Sequence, residues 1–450
     1  MTESTQEVDL LIVGGGIAGL SAAHTALQDA QDFLLIEASD RLGGCIKTSN
    51  TEKVYELGPQ TFALGNYSQQ LITELNLEPT RPIKTAKNKH VFSEGKLFNI
   101  SNPFEFFFSN FLSLQAKLSF LKELFISKSK EAQIKDESLS DFFDRHFCPE
   151  VAEKMIWPLI GGIYAGNPNQ LSISAVFPKL KTLAQQNGSI VKGLIQQVLF
   201  SKSKSKFKRD VISFKGGIYS LVGAIKNELP ENQTSLNTSL LSLEENSNGY
   251  LCKTNTGNIK CKRLILATPA YVSAKVAPQY FQTLQQINYA PIVTCNLSFK
   301  ADSISKNSLS KLKSSFGFLV AKNANLQILG AVFYSSLFPS KSNNGTEALT
   351  VFLGGSNNPE MLNKTNAEIT EICKSELSKA FQEEINIQVL EITHWDKAVP
   401  QYKEEHLELI KDLEKEQPKS IALAGNYLKG VSIEDTIKSG VQAYKATSNE

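Results

Sequence analysis

Gly14, Gly16 and Gly19 stand in the spacing G-x-G-x-x-G, and an acid, Glu37, follows eighteen positions after the last of them. Residues of these types at these offsets suit the diphosphate and ribose of a dinucleotide. The first glycine permits a tight turn, the second lets backbone approach a pyrophosphate, and the third lets a helix lie close on a strand. The acid is placed to accept hydrogen bonds from ribose hydroxyls. A glycine-rich turn alone is as readily a plain turn, so the flanking pattern decides. Val8 to Val13 is a short apolar run ending at the glycines, Ile17 to Leu27 has helical character, and Phe33 to Ile36 is a second apolar run ending at Glu37. The predicted order is a β-α-β unit whose helix N-terminus offers unpaired N–H groups and a positive dipole end to the phosphates.

The rest of the chain offers little competing chemistry. Six cysteines, at 45, 148, 252, 261, 295 and 373, form no C-x-x-C pair and have no histidine at ligand spacing, so neither a disulfide framework nor a metal site is expected. The five histidines, at 24, 90, 146, 394 and 406, nominate no general base, no nucleophile elbow is present, and no catalytic side chain is assigned. The 47 basic and 45 acidic residues nearly balance at a formal charge of +2, which gives no global electrostatic case for nucleic acid. Met1 to Glu7 carries two glutamates and no basic residue, the wrong composition for a targeting leader, so a cytoplasmic, reducing setting is expected.

At 450 residues the chain exceeds what one hydrophobic core usually serves. From Pro103 onward, Phe104, Phe107, Phe111, Leu114, Leu118, Leu121 and Phe125 recur at helical spacing, which predicts one amphipathic helix within a helical region reaching about Leu199. Ser201 to Arg209 reads as an exposed basic loop, and Gly216-Gly217 opens a helix through Ile225. Turns at Asn248-Gly249 and Thr256-Gly257 then separate short strands, and Arg263 to Thr268 is a buried-strand pattern halted by Pro269. Strand candidates Ile328 to Phe333 and Leu349 to Leu353, with a helix at Ala367 to Phe381, predict a second, substrate-facing domain. No twenty-residue charge-free span appears, so no membrane-crossing helix is expected.

Further motifs narrow the reading. Arg41-Leu42-Gly43-Gly44 follows the ribose acid, Glu56-Leu57-Gly58-Pro59 follows the next extended segment, and Ile421-Ala422-Leu423-Ala424-Gly425-Asn426 precedes a helix beginning near Ser432. In this order they resemble the flavin amine oxidase superfamily, whose R-x-G-G motif helps hold FAD. A narrower resemblance lies in Trp157-Pro158-Leu159-Ile160-Gly161-Gly162-Ile163-Tyr164-Ala165-Gly166-Asn167-Pro168, followed by Leu171-Ser172 and Phe177-Pro178. With Phe214-Lys215-Gly216-Gly217-Ile218 and the closing Gly425-Asn426-Tyr427-Leu428-Lys429-Gly430-Val431-Ser432-Ile433, the chain resembles the protoporphyrinogen oxidase family of haem biosynthesis.

That resemblance implies an α/β fold, with a Rossmann-type FAD-binding domain, a mixed-sheet substrate domain and a helical, membrane-associating insertion. The segments expected are 1–88, 210–269 and 394–450 for FAD, 89–209 for the helical insertion and 270–393 for substrate. The implied FAD contacts are Gly14, Gly15, Gly16, Ile17, Ala18, Gly19, Glu37, Arg41, Gly43, Gly44, Cys45, Gly58, Pro59, Gln60 and Thr61. Leu240, Trp395, Asn426, Val431, Ser432 and Ile433 complete that set. For the macrocycle the resemblance implies Leu319, Val332 and Phe352 as the sandwich, Gly162 as a cavity wall, and Lys89 where plant relatives place an arginine for a substrate propionate. Lysine keeps the charge but loses the bidentate fork, and an ordinary surface lysine is the plain alternative. Gln60 likewise replaces an asparagine of the plant-type motif.

The implied reaction is oxygen-dependent oxidation of protoporphyrinogen IX to protoporphyrin IX. Coproporphyrinogen III oxidation, another oxidase of the superfamily such as an amine oxidase or carotenoid desaturase, and a flavin-bound sensor without turnover stay open. The Phe-rich stripe with Lys128, Lys130 and the Ser201 to Arg209 loop suits a peripheral contact to the cytoplasmic membrane, against which stands an ordinary core helix. A homodimer is also admitted.

Overall fold

The computed structural model describes residues 5–49, 54–102, 106, 108–126, 131, 134–200, 210–339 and 345–448. The chain forms two compact units: Met1–Thr80 with Arg209–Asn288 and Glu408–Glu450, and Arg81–Lys208 with Tyr289–Leu407. Up to residue 100 its strands are β1 (Thr5–Val13), β2 (Phe33–Ile36), β3 (Phe62–Ala63), β4 (Asn88–Ser93) and β5 (Lys96–Asn99). Then follow β6 (Val211–Ile212), β7 (Thr234–Ser235), β8 (Leu240–Asn246), β9 (Gly249–Thr254) and β10 (Asn258–Leu266). The last are β11 (Tyr289–Lys300), β12 (Ser315–Val320), β13 (Ile328–Val332), β14 (Thr346–Gly354), β15 (Gln388–Pro400) and β16 (Ile421–Leu423).

The first unit is built on a sheet in the order β7-β2-β1-β10-β9-β8, with β16 also paired to β10. β1 runs parallel to both β2 and β10, and β16 parallel to β10. Central parallel strands are covered on both faces, which is why Leu10, Leu11 and Ile12 form an unbroken apolar run with no exposed surface. The Ile17–Gln28 helix and the C-terminal Ile433–Ser448 helix pack together on this sheet. A Cβ on Gly440 would lie 2.0 Å from the Ala18 carbonyl oxygen, so the two helices cross with backbone nearly touching backbone. The predicted return of the chain to the first sheet after residue 210 is realised by β10, whose Leu264, Ile265 and Leu266 pair with Leu11, Ile12 and Val13.

The second unit carries a mixed sheet in the order β15-β11-β14-β13-β12-β4-β5. Strand alternation gives it two unlike faces. Val293, Cys295, Leu297, Phe318, Val351 and Leu353 bury one face against Ile369, Cys373 and Leu377 of the Asn366–Phe381 helix, which Thr365 and Glu368 cap reciprocally. Along β11 the residues alternate, Val293, Cys295 and Leu297 toward the core and Thr294, Asn296 and Ser298 on the second face, where Thr393 of β15 pairs with Thr294.

The expected single helix through the Phe-rich stripe is interrupted at residues 109–113. Ser109 and Ser113 break it: Ser113 accepts a hydrogen bond from the Ala116 N–H and starts a fresh Leu114–Glu123 helix, while its own N–H donates to Glu150. Phe111 is buried with Phe98 and Phe106, whereas Leu114 (73% exposed), Leu118, Leu121 and Phe125 (86% exposed) face outward. Phe104, Phe107, Lys128, Lys130 and the Ser201 to Arg209 loop lie outside the described residues. Among the described residues no helix is long and apolar enough to cross a membrane.

Candidate functional site

β1 delivers the chain to Gly14, whose N–H donates to the Ile36 carbonyl at 2.8 Å and whose φ of +107° is open only to glycine without strain. A Cβ there would lie 2.6 Å from the Ala267 carbonyl oxygen, and one on Gly19 would lie 1.9 Å from the Gly14 carbonyl oxygen. The helix is therefore seated directly on the turn. Gly16 is different. Its backbone is extended at φ −69°, and a Cβ built on it meets no protein atom within 4 Å. The helix that Gly16 starts has no side-chain cap and no acidic residue in its first turn. Ile17, Ala18 and Gly19 therefore present N–H groups with no intrahelical partner, at the positive end of the helix dipole, beside empty space. Those are the requirements of a diphosphate.

The second glycine motif lies against the first. The Gly43 N–H donates to the Gly15 carbonyl at 2.8 Å, and a Cβ on Gly44 would sit 3.2 Å from the Gly16 Cα. Arg41 fastens this turn from within, donating to the carbonyls of Leu42, Gly44 and Ile46. Cys45, next in the chain, is exposed. The Glu37 carboxylate accepts from the Gly15 N–H at 2.6 Å and from the Ser39 N–H and hydroxyl at 2.9 and 2.8 Å. A carboxylate has about four acceptor positions, so a ribose hydroxyl still finds one. The Thr238 N–H donates to the Glu37 carbonyl, which brings the start of β8, with buried Leu240, to the same end of the sheet.

Gly58, Pro59 and Thr61 are half-buried, and the buried Gln60 staples their turn by donating to the carbonyls of Glu56 and Gly58. At the C-terminal end Asn426 and Val431 are half-buried, Ser432 is exposed and Ile433 is buried; Ser432 caps the last helix by accepting from the Asp435 N–H. All of these residues belong to the first unit.

Sequence reasoning missed the role of Glu56. Its fully buried carboxylate accepts from Thr48 Oγ1 at 2.6 Å and from the Ile218 N–H at 2.8 Å, while the Tyr219 N–H donates to Thr48 Oγ1. A Cβ on Gly217 would strike Thr48 Cγ2 at 2.3 Å. The Phe214 to Ile218 landmark is thus a helix start capped by a distant acid. The available signal was a lone acid in an otherwise apolar run, Tyr55-Glu56-Leu57, which has to be buried with a partner.

In the second unit Leu319, Val332 and Phe352 fall on one face of the sheet, the face opposite the hydrophobic core. Cross-strand pairs run Lys89–Gly317–Val332–Thr350 and Val91–Leu319–Gly330–Phe352–Thr294. Trp395 lies on the same face of β15, through its partner Ile292 on β11. Leu319, Val332, Phe352 and Trp395 are each half-buried. The Trp157–Tyr164 helix covers this face: a Cβ on Gly162 would lie 2.5 Å from Leu319 Cδ2, and one on Gly161 3.7 Å from Leu329 Cδ2. Lys89 is exposed at the rim, its ammonium 5.7 Å from the centre of the Phe316 ring, with no carboxylate partner among the described residues. A cavity of about 740 Å³ elsewhere in this unit, bordered by Ile83, Lys313, Ser335 and Glu347, includes none of these residues.

Parallel strands that end in an uncapped glycine turn, an acid hydrogen-bonded to that turn and a second glycine loop packed on it define a dinucleotide-binding protein of the flavoprotein type. The chain belongs to the flavin containing amine oxidoreductase family, whose pattern matches residues 17–444. A flavin carried on a dinucleotide cradle is FAD, and the protein is an oxidoreductase. It is 28% identical over 474 residues to the mitochondrial protoporphyrinogen oxidase of Nicotiana tabacum, covering 96% of this chain and 93% of that one. With the coproporphyrinogen III oxidase of Bacillus subtilis it shares 24% identity over 464 residues, 96% of either chain. Its fold matches the crystal structure of an Exiguobacterium sp. 255-15 protein, provisionally named a protoporphyrinogen oxidase, at a TM-score of 0.83 with 23% identity over 99% of both chains.

Because nothing of the protein borders the Gly16 side-chain position, Gly16→Ala is expected to fold with nearly unchanged thermal stability and yet bind FAD at least about tenfold more weakly, the methyl group standing where phosphate oxygens belong. Flavin titration of the apoprotein beside thermal denaturation checks this, and equal FAD affinity would show that the diphosphate lies elsewhere.

Proposed function

We propose that the protein oxidises protoporphyrinogen IX to protoporphyrin IX, with dioxygen as electron acceptor and hydrogen peroxide as co-product. The resemblance to porphyrinogen oxidases runs over nearly the whole chain, and the observation that carries the substrate class is the second unit's face. Half-buried Leu319, Val332 and Phe352 lie beside Gly317 and Gly330, positions with no side chain, so the surface is apolar and low in relief. That suits a flat macrocycle. Lys89, across the ladder from Gly317, supplies a cation at the rim with no carboxylate partner among the described residues. A tetrapyrrole that is apolar on one side and carboxylated on the other meets both features.

When bound, FAD supplies the two-electron acceptor for each dehydrogenation. The chain holds the substrate, screens it from water and fixes its propionate edge. Lys89 can meet one carboxylate of either protoporphyrinogen, with two propionates, or coproporphyrinogen, with four, so the cation does not choose between them. Anaerobic mixing separates the two. The account predicts faster bleaching of the flavin by protoporphyrinogen IX than by coproporphyrinogen III, and recovery with peroxide on admission of air. Faster bleaching by coproporphyrinogen would reassign the substrate, and an oxidised flavin that no porphyrinogen bleaches would leave a sensor.

The helical part of the second unit is proposed to rest on a membrane surface. Leu114, Leu118, Leu121 and Phe125 form an exposed apolar stripe with Lys122 beside it, and the touching Ile190–Phe200 helix exposes Leu194 and Ile195. Such a stripe inserts shallowly among headgroups, while cations add about 1 kcal/mol each against anionic lipid. The protein is expected to sediment with anionic liposomes at low salt, and Leu118→Glu with Leu121→Glu to cut the bound fraction about tenfold. Failure of the unaltered protein to sediment would remove the membrane contact.

A further inference from the structure

The Trp157–Tyr164 helix ends in a chain reversal: Ala165 has a left-handed backbone at φ 47°, so the carbonyls of Tyr164, Ala165 and Gly166 turn out of the helical ladder. The strand ends of the sheet meet all three. Gln401, just past β15, donates through Nε2 to the Tyr164 carbonyl at 2.8 Å. The Ser356 N–H donates to the Ala165 carbonyl at 2.7 Å, and Asn357 Nδ2 to the Gly166 carbonyl at 3.3 Å. Gln401 is 6% exposed and fully used, since Nε2 also donates to the Val399 carbonyl at 3.0 Å and Oε1 accepts from Ser356 Oγ at 3.2 Å. Two carbonyl neighbours can be met only by an amide NH₂, which settles the orientation of the side chain chemically.

The latch joins the two walls of the proposed macrocycle site. Ser356 and Asn357 lie two and three residues beyond Gly354, the end of the strand that carries Phe352, and the helix they hold carries Gly162 against Leu319. Close contacts prevent the joint from sliding: a Cβ on Gly166 would lie 2.7 Å from Gln401 Oε1, and one on Gly355 2.7 Å from the Ala165 carbonyl oxygen. We infer that Gln401 is a positioning residue for porphyrinogen binding, setting the separation between the helix at Gly162 and the sheet at Leu319 and Phe352 without touching the substrate.

The inference rests on the porphyrinogen reading, and its test is built to fail separately. Gln401→Met keeps the volume and removes the three hydrogen bonds; Ser356→Ala removes one and leaves the backbone bond to Ala165. For Gln401→Met the expected result is a KM for porphyrinogen raised about tenfold, with kcat and the bound-flavin spectrum little changed. For Ser356→Ala the KM should rise about two- to threefold. A purely structural role would lower thermal stability and flavin content but leave the KM of the remaining holoenzyme where it was, and that result overturns the inference. If Gln401→Met yields no holoenzyme, an unchanged KM in Ser356→Ala overturns it equally. Wild-type flavin that no porphyrinogen reduces would instead overturn the substrate reading, and the latch's role with it.

Discussion

The cofactor site depends on backbone approaching backbone where no side chain fits. Gly14 lies against Ala267, Gly19 against Gly14, Gly44 against Gly16 and Gly440 against Ala18, all at separations that a Cβ would close. These contacts hold the Ile17–Gln28 helix with its first N–H groups uncapped and aimed into open space. An uncapped buried helix end is costly unless something else satisfies it. A diphosphate does so, and the folded chain is thereby committed to a ligand. Glu37 and Arg41 serve the same end from the side chains: both spend hydrogen bonds on the glycine turns themselves and so hold the cradle's shape.

The second unit follows another logic. Its sheet hides a hydrophobic core on one face and offers the other as a surface, low and apolar at Leu319, Val332 and Phe352 and polar around Thr294 and Asn296. Helix ends are tied to strand ends by saturated polar contacts, which fix distance where apolar packing alone would tolerate drift. The buried Glu56 performs a comparable task in the first unit, joining Thr48 to the helix start at Ile218.

Much of the first unit was legible in sequence, because glycine at a tight approach has no substitute and a doubly covered parallel strand has to be apolar throughout. The β-α-β order and the return strand at Leu264 to Leu266 follow from those two constraints, while the C-terminal helix from Ile433 was expected from the family resemblance. The second sheet was less legible. β11 alternates apolar and polar residues like any one-sided strand, which does not mark its second face as a site, and the register that gathers Leu319, Val332, Phe352 and Trp395 on one face is a long-range fact. The Phe-rich stripe misled in an instructive way. Its spacing is helical throughout, yet two serines that bond to backbone or cap it cut the helix, sending Phe111 inward and Leu114 onward outward. Gln401 could not have been nominated from sequence, since the partners that make it a latch, Ser356 and Tyr164, lie 45 and 237 residues away.

The central claim is that the glycine cradle of the first unit holds a flavin dinucleotide. Heat denaturation of the purified protein, followed by chromatography of what it releases, tests this most directly. The account predicts FAD at close to one molecule per chain, with the yellow colour leaving the protein fraction. Release of a nicotinamide dinucleotide at that ratio, with no flavin, would contradict it.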